Sequence, residues 1–232
     1  MRPNKSHTWE DVIDDDIRAI HRNLDVRRGL GRKIAVLCVD NLNGVFGDKP
    51  EPVREMVKRY PNGCGLEAWK AIEPTQALMQ AARASGTMLI HSTRDPTPQP
   101  DQHRIAAVKW TSNFVSAFSD GSDREFFTPL APAPGELVIH KRRASVFFGT
   151  PLPAYLVEAG VDSLVCCGNS TSGCIRATVV DAFNLGFKVA VVEECTFDRN
   201  WLSHKVNLFD MDTKYADVMF LDEVLPLLKK SA

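Results

Sequence analysis

Unbroken apolar runs alternate along the chain with stretches of helical spacing, and this rhythm predicts the fold before any single residue is weighed. The runs at 33–40 (KIAVLCVD), 87–95 (TMLIHSTRD), 136–140 (ELVIH), 163–167 (SLVCC), 188–195 (KVAVVEEC) and 218–222 (VMFLD) lack the apolar and polar alternation of a half-exposed strand. They read as strands of a parallel sheet, the run at 163–167 covered on both faces and the last a short outer strand. Between them, helical periodicity marks 73–85 (Ala77, Leu78, Ala81, Ala82), 152–159, the segment starting at Cys174 (Ile175, Thr178, Val179, Ala182, Phe183, Leu185) and 223–230. Gly186 stands where a left-handed cap would end the helix begun at Cys174. Strands alternating with helices predict an α/β protein with a six-stranded, mostly parallel, Rossmann-like sheet and helices on both of its faces.

Three further segments break the rhythm. Residues 1–31 form a charged N-terminal extension in which Trp9, Val12, Ile13, Ile17 and Ile20 make an amphipathic stripe. It serves either as an arm on a neighbouring subunit or as a helix on its own domain, and 32–232 reads as one domain. Residues 41–73 are rich in loop formers (Pro50, Pro52, Pro61, Gly63, Gly65) and are placed to cover a site. Residues 96–134 combine prolines with Trp110, Phe114, Phe118, Phe126 and Phe127, too aromatic for a disordered linker. An excursion around the mouth of a site, or an oligomer interface, fits better.

Composition narrows the chemistry. The 232 residues carry a formal net charge of -1, which supports neither a nucleic-acid partner nor a membrane-surface helix. The first residues lack the apolar core of a signal peptide and no run is long enough to span a bilayer, so a cytoplasmic protein acting on small molecules is expected. The six cysteines fall mostly in predicted strands with no C-x-x-C pair, so reduced thiols are expected rather than a disulfide framework or a zinc site. Gly168 and Gly173 have the spacing of a phosphate loop, but Cys174 and Ile175 stand where Lys and Ser/Thr are needed. A dinucleotide fingerprint fails as well, since Asn169 and Ser170 follow Gly168, despite Glu193 and Glu194 further on. His91, Asp95 and His103 lack the spacings of common metal sites. No metal and no cofactor are implied.

Three residues at strand ends carry the chemistry that is left. Asp40 closes the first run and lies where open α/β sheets bind ligands, although a turn or cap role is an equal alternative. Lys141 closes the third run, where the plainer reading is a solvated basic cluster with Arg142 and Arg143. Cys174 follows the fourth run through a loop of small polar residues, NSTSG, and the start of a helix. That position favours a thiolate, whereas a structural buried cysteine is the alternative.

With Asp40, Lys141 and Cys174 in this order, the sequence resembles the isochorismatase-like cysteine hydrolases over roughly residues 31–225, through VLCVDNLNGVFGDKPEP, VIHKRRASVFFGTPL and VCCGNSTSGCIRATVVDAFNLGF. It is most similar to the N-carbamoylsarcosine amidase and maleamate amidohydrolase branch, which shares T-S-G-C-x-R-A-T, F-F-G-T-P-L and N-L-x-D-x-x-x-K-Y/F-x-D-V. It is less like the nicotinamidases, whose metal-binding Asp-x-His is replaced after Thr93 by Arg94, Asp95 and Pro96, and the thiol at 174 separates it from true isochorismatases. The resemblance implies a three-layer α/β/α fold and a metal-independent amidohydrolase that cleaves a linear C–N bond in a small carboxylate-bearing amide or N-carbamoyl compound.

In that family pattern Cys174 is the nucleophile, Asp40 the general base and Lys141 the third triad member. The N–H groups of Ser170 and Cys174 form the oxyanion hole, arranged by a cis peptide between Asn169 and Ser170. Arg199 grips the substrate carboxylate, Asn41, Phe46, Trp110 and Phe147 are candidate pocket walls, and Arg176 makes structural ion pairs. A homotetramer is also implied. The reading from another class is a catalytically idle small-molecule binder that kept the fold.

Overall fold

The computed structural model describes residues 5–21, 26–96 and 122–229. Strands β1 (Ile34–Val39), β2 (Met88–Arg94), β3 (Leu137–Lys141), β4 (Ser163–Asn169), β5 (Lys188–Phe197) and β6 (Asp217–Met219) form one six-stranded sheet in the order β3-β2-β1-β4-β5-β6. Every neighbouring pair is parallel. The helices are α1 (Asp15–His21), α2 (Asn43–Phe46), α3 (Val53–Met56), α4 (Leu66–Lys70), α5 (Ile72–Ala84), α6 (Leu152–Glu158), α7 (Arg176–Asn184), α8 (Trp201–Lys214) and α9 (Leu221–Leu228). None of the described helices is long and apolar enough to cross a membrane.

Alternate residues of β1 show why its sequence is apolar throughout. Ile34, Val36 and Cys38 pack with Leu78, Met79 and Ala82 of α5 and with Val224 and Leu228 of α9. Ala35, Leu37 and Val39 pack on the other face with α6 (Leu152, Leu156), α7 (Val179, Ala182) and α8 (Leu208, Met211). The result is the three-layer α/β/α arrangement, and a polar residue on either face of β1 would be buried without water.

The chain winds outward from β1 through β2 to β3, then crosses to β4 on the other side. The carboxyl ends of β1 and β4 therefore flank the point where the winding reverses, where such sheets open a crevice. Gly168 lets these two strands close there. It lies at φ 107°, and a Cβ on it would fall 2.1 Å from the carbonyl oxygen of Val39, so no other residue fits without moving β1.

The strands run further than the sequence pattern predicts at the site end: β4 reaches Asn169 and β5 reaches Phe197. Their last residues are polar or aromatic but still ladder-bonded, Gly168 to Thr196 and Asn169 to Phe197, after a register shift. The α7 helix starts at Arg176 rather than Cys174, because 171–175 forms a wide π-helical turn.

The N-terminal segment packs on its own chain ahead of α1. Trp9 is buried, and the His7 ring stacks between Trp9 and Phe220 while Nδ1 bonds Glu193 at 2.5 Å. The helix itself buries nothing, and Ile20 is 72% exposed, so the predicted stripe is used only in its first part. In the aromatic excursion, Trp110, Phe114 and Phe118 lie outside the described residues. Its end runs beside 41–43: Phe127 N donates to Asn41 O, Asn43 N to Glu125 O, and the Phe127 ring stacks on Phe46.

Candidate active site

Asp40 leaves β1 at φ 53°, a left-handed conformation that costs about 1 kcal/mol for a residue with a side chain and that Asp tolerates better than most. Ser92 of β2 fixes the resulting kink from both sides. Its Oγ donates to Asp40 Oδ1 at 2.8 Å and accepts from Asp40 N at 3.2 Å. Asn169, at the end of β4, donates from Nδ2 to Asp40 O at 2.9 Å, while its Oδ1 accepts a weak bond from Cys64 Sγ at 3.7 Å. Neighbouring strands on each side thus aim one carboxylate over the edge of the sheet.

Lys141 ends β3, two strands away from β1, a gap of about 9–10 Å that only a long side chain can bridge. Its buried ammonium has three acceptors for three protons: Asp40 Oδ2 at 2.7 Å, Cys174 Sγ at 3.3 Å and Arg143 O at 3.3 Å. Burial pulls its pKa down, but Asp40 and Cys174 outweigh that and leave it raised, so the cation is secure. The structure thus brings Asp40, Lys141 and Cys174 into contact, with the ammonium in the middle.

The thiol does not behave as its position suggests. Burial, together with the charge of Asp40, pushes Cys174 up to about 12 against the pull of Lys141. Helix-end placement and Lys141 favour the thiolate, and at this π-helical turn burial and the Asp40 charge work against them.

The other predicted residues divide. The Asn169–Ser170 peptide is cis. Asn41 is buried beside Asp40, and neither of its amide atoms has a hydrogen-bond partner among the described residues. Arg199 is half-buried, with Nη1 donating to Pro61 O at 3.0 Å and the guanidinium near Cys64. Phe46 is a core residue of the α5 face, clamped by Phe127 and Phe197. Phe147 belongs to the opposite core and meets Phe187, which precedes β5 at the far end of the sheet. Both are thus packing residues, because an aromatic ring near a site in sequence is equally suited to the adjoining core. Trp110 lies outside the described residues. Arg176 bonds Asn207 Oδ1 at 2.6 Å and lies 3.6 Å from Asp210 Oδ2, the structural pairing expected of it.

His91 and Asp95 are committed elsewhere, to Glu136 and Arg142, and His103 lies outside the described residues. Among the described residues no group of three His, Cys, Asp or Glu side chains could hold a metal. Sequence reasoning missed Ser92 and the side-chain role of Asn169. The available signal was their polarity inside buried strands, where each hydroxyl or amide must find a partner.

A parallel α/β/α sheet with a thiol, an ammonium and a carboxylate gathered at its switch point defines the class to which the molecule belongs: an open α/β protein with reactive side chains gathered at the carboxyl edge. The chain belongs to the isochorismatase family, for the Isochorismatase domain matches residues 35–223. It is 35% identical over 206 residues to the maleamate amidohydrolase of Pseudomonas putida, covering 89% of this chain and 92% of that protein. It is 32% identical over 213 residues to the N-carbamoylsarcosine amidase of an Arthrobacter species, covering 89% and 75%. Among solved structures, an isochorismatase-like hydrolase from Alkaliphilus metalliredigens superposes with a TM-score of 0.69 at 25% identity, covering 84% of this chain and 98% of that one.

Proposed function

We propose that the protein is a cysteine-dependent amidohydrolase that releases ammonia from a small carboxylate-bearing N-carbamoyl or amide compound. The observation that carries this reading is the continuous contact from Asp40 through Lys141 to the half-buried sulfur of Cys174. The names of the two relatives above, acting on maleamate and on N-carbamoylsarcosine, support this substrate class.

Burial that raises the thiol favours coupling its attack to proton transfer. Cys174 Sγ attacks the carbonyl carbon as its proton passes to Asp40, so that a thiolate never has to exist free in the buried site. Charge developing on the attacked oxygen is met by the N–H groups of Ser170 and Cys174; one such donor is typically worth about 3–4 kcal/mol of barrier. Asp40 returns the proton to the leaving nitrogen, the C–N bond breaks, and ammonia departs from a thioester or thiocarbamate on Cys174. Water then gives a proton to Asp40 and its oxygen to the acyl carbon, and the sulfur leaves and recovers that proton. Lys141 keeps its charge throughout, offsetting negative charge on whichever neighbour carries it.

Arg199 supplies a planar cation suited to a carboxylate. Asn41 supplies a donor and an acceptor beside the base; leaving such an amide unmet costs about 1–3 kcal/mol, which a substrate amide would relieve. Ammonia release from maleamate, N-carbamoylsarcosine and related ureido acids tests the proposal. Turnover of at least one is expected, with none from Cys174→Ala at unchanged melting temperature. A wild-type protein that binds these acids without turnover would instead identify an idle binder.

A further inference from the structure

The turn that carries Cys174 is tied at two consecutive residues to the connection between β5 and α8. Ser172 donates to Asp198 Oδ2 twice, from its backbone N–H at 2.9 Å and from Oγ at 2.7 Å. The other oxygen of Asp198 accepts from Asn200 N at 3.2 Å, and Asn200 caps α8 through Ser203 N. Thr171 Oγ1 shares a 2.7 Å hydrogen bond with His204 Nδ1 in the first turn of α8. Thr171, Asp198 and His204 are all buried, and the imidazole stacks on Trp201. Burial draws His204 down to about 4, so it stands neutral at Thr171 over the ordinary pH range.

These ties fall where the backbone is weakest. A π-helical turn holds its shape less well than an α-helix, because its hydrogen bonds are wider and poorer. Neither Asp198 nor His204 is part of the contact from Asp40 to Cys174, so their buried hydrogen bonds need another explanation. We propose that Asp198 and His204 are positioning residues for the nucleophile: by holding Ser172 and Thr171 they fix the turn so that Cys174 Sγ rests against Lys141. Arg199 lies between them in sequence, so one short connection both holds the nucleophile's turn and carries the arginine assigned to the substrate carboxylate. The inference rests on the reading of Cys174 as nucleophile.

The test pairs steady-state kinetics with hydrogen exchange of the peptide covering 170–176. Asp198→Asn is expected to lower kcat about 10- to 100-fold with KM within about threefold, since a misplaced reacting group costs rate rather than binding. Exchange in 170–176 should quicken while the rest of the sheet stays protected. Thr171→Val should show a smaller loss of the same kind, and Thr171→Ser, which keeps the hydroxyl, should restore it. Adding Ser172→Ala to Asp198→Asn should cost little more, because both remove one contact. Should Asp198→Asn not fold, Ser172→Ala and Thr171→Val carry the comparison. Unchanged kcat and unchanged exchange in 170–176 would overturn the proposal, as would a loss of protection spread over the whole domain with normal kcat per folded molecule. Exchange needs no turnover, so an inactive wild-type enzyme would count against the amidohydrolase reading and leave this one to be judged by exchange.

Discussion

Cys166 lies in the middle of β4 and Cys174 in the turn that follows it, and both thiols are pushed up to about 12. The causes differ. Cys166 is wholly buried in the sheet and is raised by loss of water, with Cys38 adding to it. Cys174 is half-buried and held between two opposing charges, Asp40 raising it and Lys141 lowering it. A titration value alone would not tell the two apart. What separates them is access and a proton acceptor in contact with the charge network, which is what a buried nucleophile requires when its thiolate is too costly to store.

The largest effect that can break this comparison is on turnover. Cys174→Ala is expected to abolish ammonia release, whereas Cys166→Ala should keep activity within about twofold and cost about 1–2 kcal/mol through the small cavity it leaves. Matched losses in the two variants would remove the distinction. Next, Lys141→Met leaves Asp40 buried without its partner. A loss of about 3 kcal/mol in denaturant unfolding is expected, together with a fall in kcat on the order of 1000-fold; wild-type kcat would exclude Lys141 from the site chemistry.

Arg199→Ala sharpens the substrate side. It should raise KM about 10- to 100-fold for carboxylate-bearing amides and leave neutral amides nearly unchanged, as expected when a charge-assisted pair is lost. An equal rise for both kinds of substrate would assign Arg199 to the Pro61–Cys64 loop instead.

The last effect is on stability against pH. The folded state holds His204 well below its unfolded value near 6.5, so the unfolded chain takes up the proton first and stability falls as pH drops from about 6.5 to about 4. Glu136 behaves in the same sense lower down. Burial opposes its charge, but Arg83, the Ala133 N–H and His91 hold it at about 2, so its contribution is present above about 4.5 and fades toward 2. His204→Asn should flatten the upper part of this profile in denaturant unfolding, and an unaltered slope would contradict the assignment.

How far the sequence could be read follows from which physical terms are local. The strands were legible because burial on both faces demands an unbroken apolar run, as in β1 and β4. Asp40, Lys141 and Cys174 were legible because each follows such a run, and parallel strands end at one edge. Ser92 and Asn169 were not, since their value comes from the neighbouring strand. The burial that raises the thiol was not legible, because helix-end placement is visible in sequence while desolvation is a property of the assembled site. Phe46 and Phe147 were misplaced for the same reason: sequence shows that a ring lies near the site, not which core receives it.

The proposed chemistry turns on Asp40 acting as proton acceptor for a thiol that burial raises. Alkylation of Cys174 by iodoacetamide, followed against pH beside ammonia release, measures both halves of that statement. In the wild-type protein, alkylation should be slow at pH 7 and still rising above pH 10. In Asp40→Asn, where the carboxylate that raises the thiol is gone, alkylation should begin at lower pH while ammonia release is lost. A wild-type thiol already fully reactive at pH 7, or an Asp40→Asn enzyme that keeps its turnover, would contradict the mechanism.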